Sequence, residues 1–244
     1  MARKKTSNPP DLSHLLMPPT PLMQAVEQAV LRRHAGAGAA VPVADQIAVR
    51  LAGVITTGMV QAGQRLLEKD ISEVLHVSRA PVREALRILE REHLVEFQAR
   101  RGACVTAPDA EDIADIYVVR IALFQILLQQ LMERCPQALE AVFDRHMPQL
   151  EQATRQGVVD DHALAGFLMN MDMFRLAEGR LIADLLASIS LRVLRFVRLG
   201  LAADPSRMDR AMETWRALHR AIARRDVDAV LSTAVRRMEL SRDA

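Results

Sequence analysis

The chain has 244 residues, half of them hydrophobic, which is enough for two domains or one large domain with a substantial core. Cys104 and Cys135 are too few for a disulfide framework and have no metal-ligand spacing, so we expect free thiols in a reducing cytoplasm. The basic start leads into a proline-rich stretch rather than an apolar signal core, which argues against secretion. The net charge of +2 is uneven: residues 1–108 carry 14 Lys+Arg against 10 Asp+Glu, and the remainder carries 18 against 20. The modest basic excess therefore lies in the first part of the chain.

The longest apolar tract, residues 181–201, is interrupted by Asp184, Arg192, Arg195 and Arg198. Charges at this density argue against a membrane span and favour the central helix of a bundle. We therefore expect no membrane association.

Residues 1–40 are predicted to form a flexible N-terminal extension, because they combine a proline-rich opening with the small-residue run at 35–40. A short amphipathic helix at 21–34 either docks on the body of the protein or frays, and the sequence does not choose between them. A helix follows over 43–57, where Gly58 stops it, and then a short strand at 65–67.

Residues 77–95 form the stretch around which the first domain is organised. Ser78 is placed to cap a helix and Pro81 falls in its first turn, so the helix is predicted to begin at Arg79. Arg79 and Arg83 are four residues apart and share one face, and an apolar stripe lies roughly 100° around the helix from them. With the shorter helical pattern just upstream, this is a helix-turn-helix pattern.

The alternative to a helix-turn-helix is an ordinary corner of two helices with solvated charges. Arg87 is kept out of the predicted reading face, because Glu84 and Glu90 each lie three residues away and can pair with it.

Two short β-prone runs, at 95–98 and 103–106, predict a hairpin whose tip carries Arg100 and Arg101. An arginine pair at a hairpin tip can be a solvated loop, but beside the arginine face of the preceding helix it favours a phosphate or minor-groove contact. Helix, strand, two crossed helices and a hairpin predict a winged-helix domain over residues 41–107.

From residue 109 the pattern changes to long amphipathic helices. Six of them predict an all-α bundle over residues 109–244, so the fold class is mostly α. The predicted helices span residues 109–134, 136–156, 160–178, 181–201, 204–225 and 227–242.

Taken together, these patterns resemble the GntR family of bacterial transcription regulators, in the FadR-type branch whose C-terminal module is the FCD domain. The resemblance extends over about residues 43–242 and is most specific in its first 65 residues. The strongest matching residues are Val77, Ser78, Arg79, Pro81, Val82, Arg83, Glu84, Ala85 and Leu86.

The resemblance implies a homodimer that places each recognition helix in a major groove of double-stranded, palindromic operator DNA. Arg79 and Arg83 match the arginines that contact the operator, and a guanidinium can bind O6 and N7 of guanine bidentately. Lys69 lies where the family often has arginine, so a phosphate contact is expected there, and Ser78 either contacts phosphate or only caps the helix. His76 and His93 replace turn glycines, which predicts a strained positive φ at both.

Many FCD domains hold a divalent metal with one aspartate and three histidines. Aligned on that motif, this chain has Met171, Arg175 and Arg237 at three of the positions, and only His219 matches. We therefore expect no metal and no cofactor.

Arginine at former metal-ligand positions suggests that the pocket binds an anion directly. The hypothesis is that Arg120, Arg175 and Arg237, with His219, bind a small acidic metabolite. The alternative is that the site has decayed and these arginines pair with acidic residues or face solvent.

The resulting interpretation is a cytoplasmic, homodimeric, ligand-responsive regulator, a repressor more often than an activator. A second interpretation is a dimeric DNA binder whose bundle only dimerises or binds a partner. An enzyme is not expected, because no catalytic arrangement of side chains can be placed.

Overall fold

The computed structural model describes residues 11–34 and 41–242. The chain divides into two compact units, Met1–Ala107 and Pro108–Ala244. Among the described residues no helix is long and apolar enough to cross a membrane.

The described part of the first unit contains four α-helices and a small sheet, and the predicted helix, strand, two crossed helices and hairpin are among them. Its elements are α1 (Pro21–His34), α2 (Val43–Thr56), β1 (Arg65–Leu66), α3 (Glu68–Val74), α4 (Arg79–Arg91), β2 (Val95–Gln98) and β3 (Gly102–Val105), preceded by a 3₁₀ turn at Ser13–Leu15.

The N-terminal helix α1 packs on α2 and buries Leu22, Val26 and Val30 completely or nearly so. Arg33 and His34 at its end contact the buried carboxylate of Glu92 at 2.9 and 2.7 Å. Of the two alternatives that the sequence left open for 21–34, the structure shows docking, because the apolar face of this helix finds a partner that its local sequence does not reveal. The predicted linker at 35–40 lies outside the described residues.

The helix-turn-helix and the wing are confirmed. Helix α4 buries Val82 and Leu89 against α2 and α3, and β2 and β3 pair antiparallel with Gln98 opposite Gly102. The strand order is β1-β3-β2. His76 and His93 adopt φ values of 53° and 56°, as the substitution of turn glycines predicted.

The second unit is an all-α bundle of six helices in its described part, as predicted. They are α5 (Ala110–Arg134), α6 (Pro136–Gln156), α7 (Val159–Arg175), α8 (Arg180–Ala203), α9 (Ser206–Ala223) and α10 (Val227–Arg242). Asp109 starts the first with a capping box, and Gly157 ends the second in the left-handed conformation. The largest difference is at α7, which ends three residues before the predicted 178.

Candidate functional site

The exposed face of α4 carries the two arginines predicted to contact DNA. Arg79 and Arg83 are both solvent-exposed, while Val82, Ala85 and Leu86 on the other side of the helix are fully buried. Burial of the apolar face fixes the helix, so both guanidinium groups extend from one rigid surface.

Glu68 at the start of α3 binds Arg83 in a bidentate ion pair. Arg83 donates from Nε to Oε1 at 2.9 Å and from Nη2 to Oε2 at 2.8 Å. These bonds lower the pKa of Glu68, and the same contact raises the pKa of Arg83. Arg83 uses only two of its five N–H groups in this ion pair. The Nη1–Nη2 end of its guanidinium therefore stays available for a bidentate contact with a base.

The other predicted DNA contacts lie on the same unit. Lys69 is exposed and lies 3.7 Å from Glu73, and Arg101 at the wing tip donates to Gln98 at 2.9 Å. Arg100 precedes it with φ at 64° and an exposed side chain.

Ser78 occupies the N-cap position of α4 but makes no side-chain capping bond. Its exposed hydroxyl is therefore unused by the helix. Of the two roles predicted for Ser78, helix capping is therefore absent from the structure.

Arg87 is engaged within the unit. It donates to Glu90 at 2.8 Å and stacks over the ring of Phe97 at 4.1 Å. The pairing expected from the spacing is thus present with Glu90.

The bundle contains a cavity of about 70 Å³ that is partly open to solvent. Five helices contribute its lining, which is mostly apolar and includes polar side chains on every one of those helices. The lining residues that bear on function are Arg120, His162, Phe167, Asn170, Ser190, Val193, Leu194, Val197, Leu201, Arg207, Trp215 and Arg237.

Arg120 and Arg237 are 4% and 7% exposed and both line this cavity. Nε of Arg120, and Nε and Nη2 of Arg237, have no hydrogen-bond partner in the described part of the chain. Arg237 stacks on Trp215 at 3.7 Å, and Arg120 lies 5.7 Å from the ring of Tyr117. None of the lining residues, all of them described, is Asp or Glu. Two buried cations thus face the cavity without a carboxylate there.

Burial dominates the electrostatics of the cavity. It lowers the pKa of Arg120, and burial together with the charge of Arg120 lowers the pKa of Arg237 to about 9. The pKa of His162 falls to about 4, mainly through burial and also through the charge of Arg237. At neutral pH the imidazole is therefore neutral, while Arg237 remains charged.

Arg175 and His219 do not belong to this cavity, so the prediction of one four-residue cluster is wrong. The side chain of Arg175 is half exposed and forms an ion pair with Asp172. His219 lies 3.0 Å from Asp144 and stacks on Phe143 with ring centroids 5.6 Å apart. Each is satisfied on the outside of the bundle.

The error is one of helical register. Trp215 lies one turn before His219 on α9, and Asn170 lies five residues before Arg175 on α7, and these earlier residues line the cavity. The early position of Gly179 and Arg180 was the available signal that the alignment is loose in this part of the chain.

The cavity does not fit a divalent metal. Its lining offers one imidazole and no carboxylate, and two buried guanidinium groups would repel a cation. Within residues 11–34 and 41–242 no group of three or more His, Cys, Asp or Glu is placed to hold a metal ion.

Comparison with known proteins supports both units. Residues 43–105 match the family model of bacterial regulatory proteins of the gntR family, and residues 115–239 match that of the FCD domain. A solved structure of a GntR transcriptional regulator from Rhodococcus sp. RHA1 shares the fold, with a TM-score of 0.70 at 22% identity over 82% of this chain and 95% of that one.

Curated relatives match over shorter stretches. The uncharacterised HTH-type transcriptional regulator YdhC of Bacillus subtilis is 29% identical over 111 residues, 46% of this chain and 50% of the relative. The gluconate operon transcriptional repressor of Bacillus subtilis is 36% identical over 88 residues, 36% of each chain. The chain thus spans half the length of these relatives or less. With the two family models covering both structural units, the chain belongs to the GntR family of bacterial regulatory proteins, in the branch that carries an FCD domain.

Proposed function

We propose that this protein is a DNA-binding transcription regulator whose bundle binds a small organic acid through Arg120 and Arg237. Acid binding changes the affinity for an operator. The protein represses transcription, and the acid relieves this repression. DNA is its macromolecular target, so the proposal includes a cytoplasmic location and no enzymatic activity.

The observation that carries the effector is the pair of buried, incompletely bonded arginines. A buried charge without a partner is costly, and evolution usually removes it or neutralises it with a counter-charge. An anion inside the cavity supplies the missing acceptors, and a carboxylate suits the planar, multi-donor guanidinium.

The DNA side of the proposal rests on the rigid arginine face of α4 and the basic wing. Arg79 and Arg83 contact base edges in the major groove, where arginine binds guanine bidentately. Lys69, Ser78, Arg100 and Arg101 contact the phosphate backbone, which positions the unit without specifying sequence.

A homodimer on a palindromic operator completes the proposal. Val118, Val119 and Ile126 are 45 to 64% exposed on α5 although they are apolar, and a second copy of the bundle would cover them. Val118→Glu is expected to shift the protein from dimer to monomer in sedimentation velocity and to weaken operator binding, whereas a dimer that survives the substitution would contradict this interface.

The effector is tested by thermal unfolding in a series of organic acids, followed by fluorescence anisotropy on an operator selected from random duplex DNA. At an acid concentration 100 times the Kd, binding should stabilise the native protein by about 2.7 kcal/mol. Arg120→Met should lose both this stabilisation and the acid-dependent change in DNA affinity.

Arg175→Met is the matched control, because it removes an arginine of the same bundle that pairs outside the cavity. It should respond to acid like the unaltered protein. An Arg120→Met variant that keeps the full response, or an unaltered protein that no acid stabilises, would overturn the proposed effector site.

A further inference from the structure

We propose that the effector is an amphipathic monocarboxylic acid, with its carboxylate between Arg120 and Arg237 and its apolar chain along α8. This inference rests on the proposed function and narrows the chemical class of the ligand. It follows from the distribution of polar and apolar groups over the cavity lining.

Buried polar side chains line part of the cavity. Besides the two arginines, Asn170 and Ser190 are 7% and 3% exposed, and Oδ1 of Asn170 and Oγ of Ser190 have no hydrogen-bond partner in the described part of the chain. A carboxylate has two oxygens that accept several bonds, so one head group can serve both guanidinium groups. The anionic end of the ligand therefore lies beside these side chains.

An apolar stripe on α8 begins next to Ser190. Val193, Leu194, Val197 and Leu201 recur at helical spacing and all line the cavity. From the first to the last of them the helix rises about 12 Å. Phe167 on α7 also lines the cavity, so the stripe and this ring form an apolar part of the lining.

Arg207 is the third arginine of the lining, and unlike Arg120 and Arg237 it has a carboxylate beside it. Its Nε lies 3.5 Å from Asp204 in an ion pair, although this nitrogen makes no hydrogen bond, and the side chain is a quarter exposed. A second carboxylate on the ligand would lie against Val197 and Leu201 and lose its hydration without a counter-charge. The geometry therefore selects one anionic group and an uncharged, apolar remainder.

The test is isothermal titration of the full chain with acetate, butyrate, hexanoate and octanoate, and with suberate, the eight-carbon diacid. Affinity should rise about fourfold for each added methylene that is buried, and suberate should bind at least about tenfold more weakly than octanoate. Equal binding of the diacid, or affinity independent of chain length, would overturn the monocarboxylate assignment.

Two substitutions on α8 test where the apolar chain of the ligand lies. Val197→Thr keeps the shape of the side chain but adds a hydroxyl to the apolar part of the lining, so it should weaken octanoate about three- to tenfold and leave acetate unchanged. Leu199→Thr is the control, because Leu199 is 45% exposed and does not line the cavity. If both substitutions change the affinity for octanoate equally, the apolar chain of the ligand does not lie along this stripe.

The outcomes separate the two proposals. Acids that bind without any preference for an apolar chain refute only the ligand class and leave an arginine-based effector site in place. An absence of binding by every acid refutes both.

Discussion

Replacing Arg237 with methionine should stabilise the unliganded protein while abolishing its response to acids. Arg237 is 7% exposed, and two of its nitrogens lack partners in the described part of the chain. Methionine fills a similar volume without a charge. Most substitutions of a buried residue destabilise a protein, so a gain here would be diagnostic.

The magnitude follows from the burial of the charge. A pKa lowered from 12.5 to about 9 corresponds to roughly 5 kcal/mol against the charged form, as an upper bound. Against this, the substitution loses the stacking of the guanidinium on Trp215 at 3.7 Å, worth about 2 kcal/mol when desolvated. We therefore expect a net gain of about 1 to 3 kcal/mol, which agrees with the gains seen when other buried ionic groups are replaced by apolar ones.

Differential scanning calorimetry of both proteins without added acid measures the effect. For a unit of this size the expected gain corresponds to a Tm higher by roughly 3 to 9 °C. In scans with added acid, the Tm difference between the two proteins should become smaller or change sign. The bound acid supplies a counter-charge to Arg237 and therefore stabilises only the unaltered protein.

A Tm lowered by Arg237→Met would refute the reasoning, since it would mean that the arginine is already satisfied in the free protein. Arg175→Met again serves as the control. Its exposed ion pair contributes little, so its Tm should change by no more than about 2 °C.

Four further predictions concern the first unit. Arg83→Ala should cost about 1 to 3 kcal/mol of discrimination between operator and random DNA. Glu68→Gln should lower the ratio of operator affinity to random-DNA affinity about two- to tenfold, because it frees the guanidinium of Arg83. Anisotropy titrations check both, and an equal loss with Glu84→Gln would show a general charge effect instead. Arg101→Ala should weaken both DNAs and reduce the slope of log K against log salt by about 1, so an unchanged slope would remove the wing from the backbone contacts. Glu92→Gln should cost about 3 kcal/mol of stability at pH 7, because the partners of Glu92 hold its pKa at about 2, against 4.5 in the unfolded chain. The difference in unfolding free energy between the two proteins should disappear as the pH falls from 4.5 towards 2. Urea titrations that give a constant difference across this range would contradict the stabilising role of the Glu92 carboxylate.

Local patterns in the sequence predicted much of the architecture. The Ser78–Pro81 start, the arginine face of α4 and the β-prone runs around Arg100 placed the winged helix, because these features act within a few residues of one another. Positive φ at His76 and His93 was likewise predictable, since the turn leaves the backbone no other conformation.

The sequence failed where a feature depends on packing between distant segments. Docking of α1 depends on α2 and on Glu92, which lies 58 residues after His34. Helical periodicity shows that a residue recurs on a face, but it does not show which face meets the cavity. The sequence therefore predicted Arg175 and His219, whereas Asn170 and Trp215, five and four residues earlier, line the cavity.

By itself the sequence determined that this chain is a winged-helix unit followed by an all-α bundle, and the resemblance predicted a cluster of cationic side chains inside that bundle. Only the tertiary structure decided which cations share a cavity. Arg120 and Arg237 come from the first and last helices of the bundle and line one cavity without carboxylates, whereas Arg175 and His219 find acidic partners outside it. Whether an arginine is satisfied or exposes an unmet charge depends on its three-dimensional neighbours, which residue type and spacing do not specify.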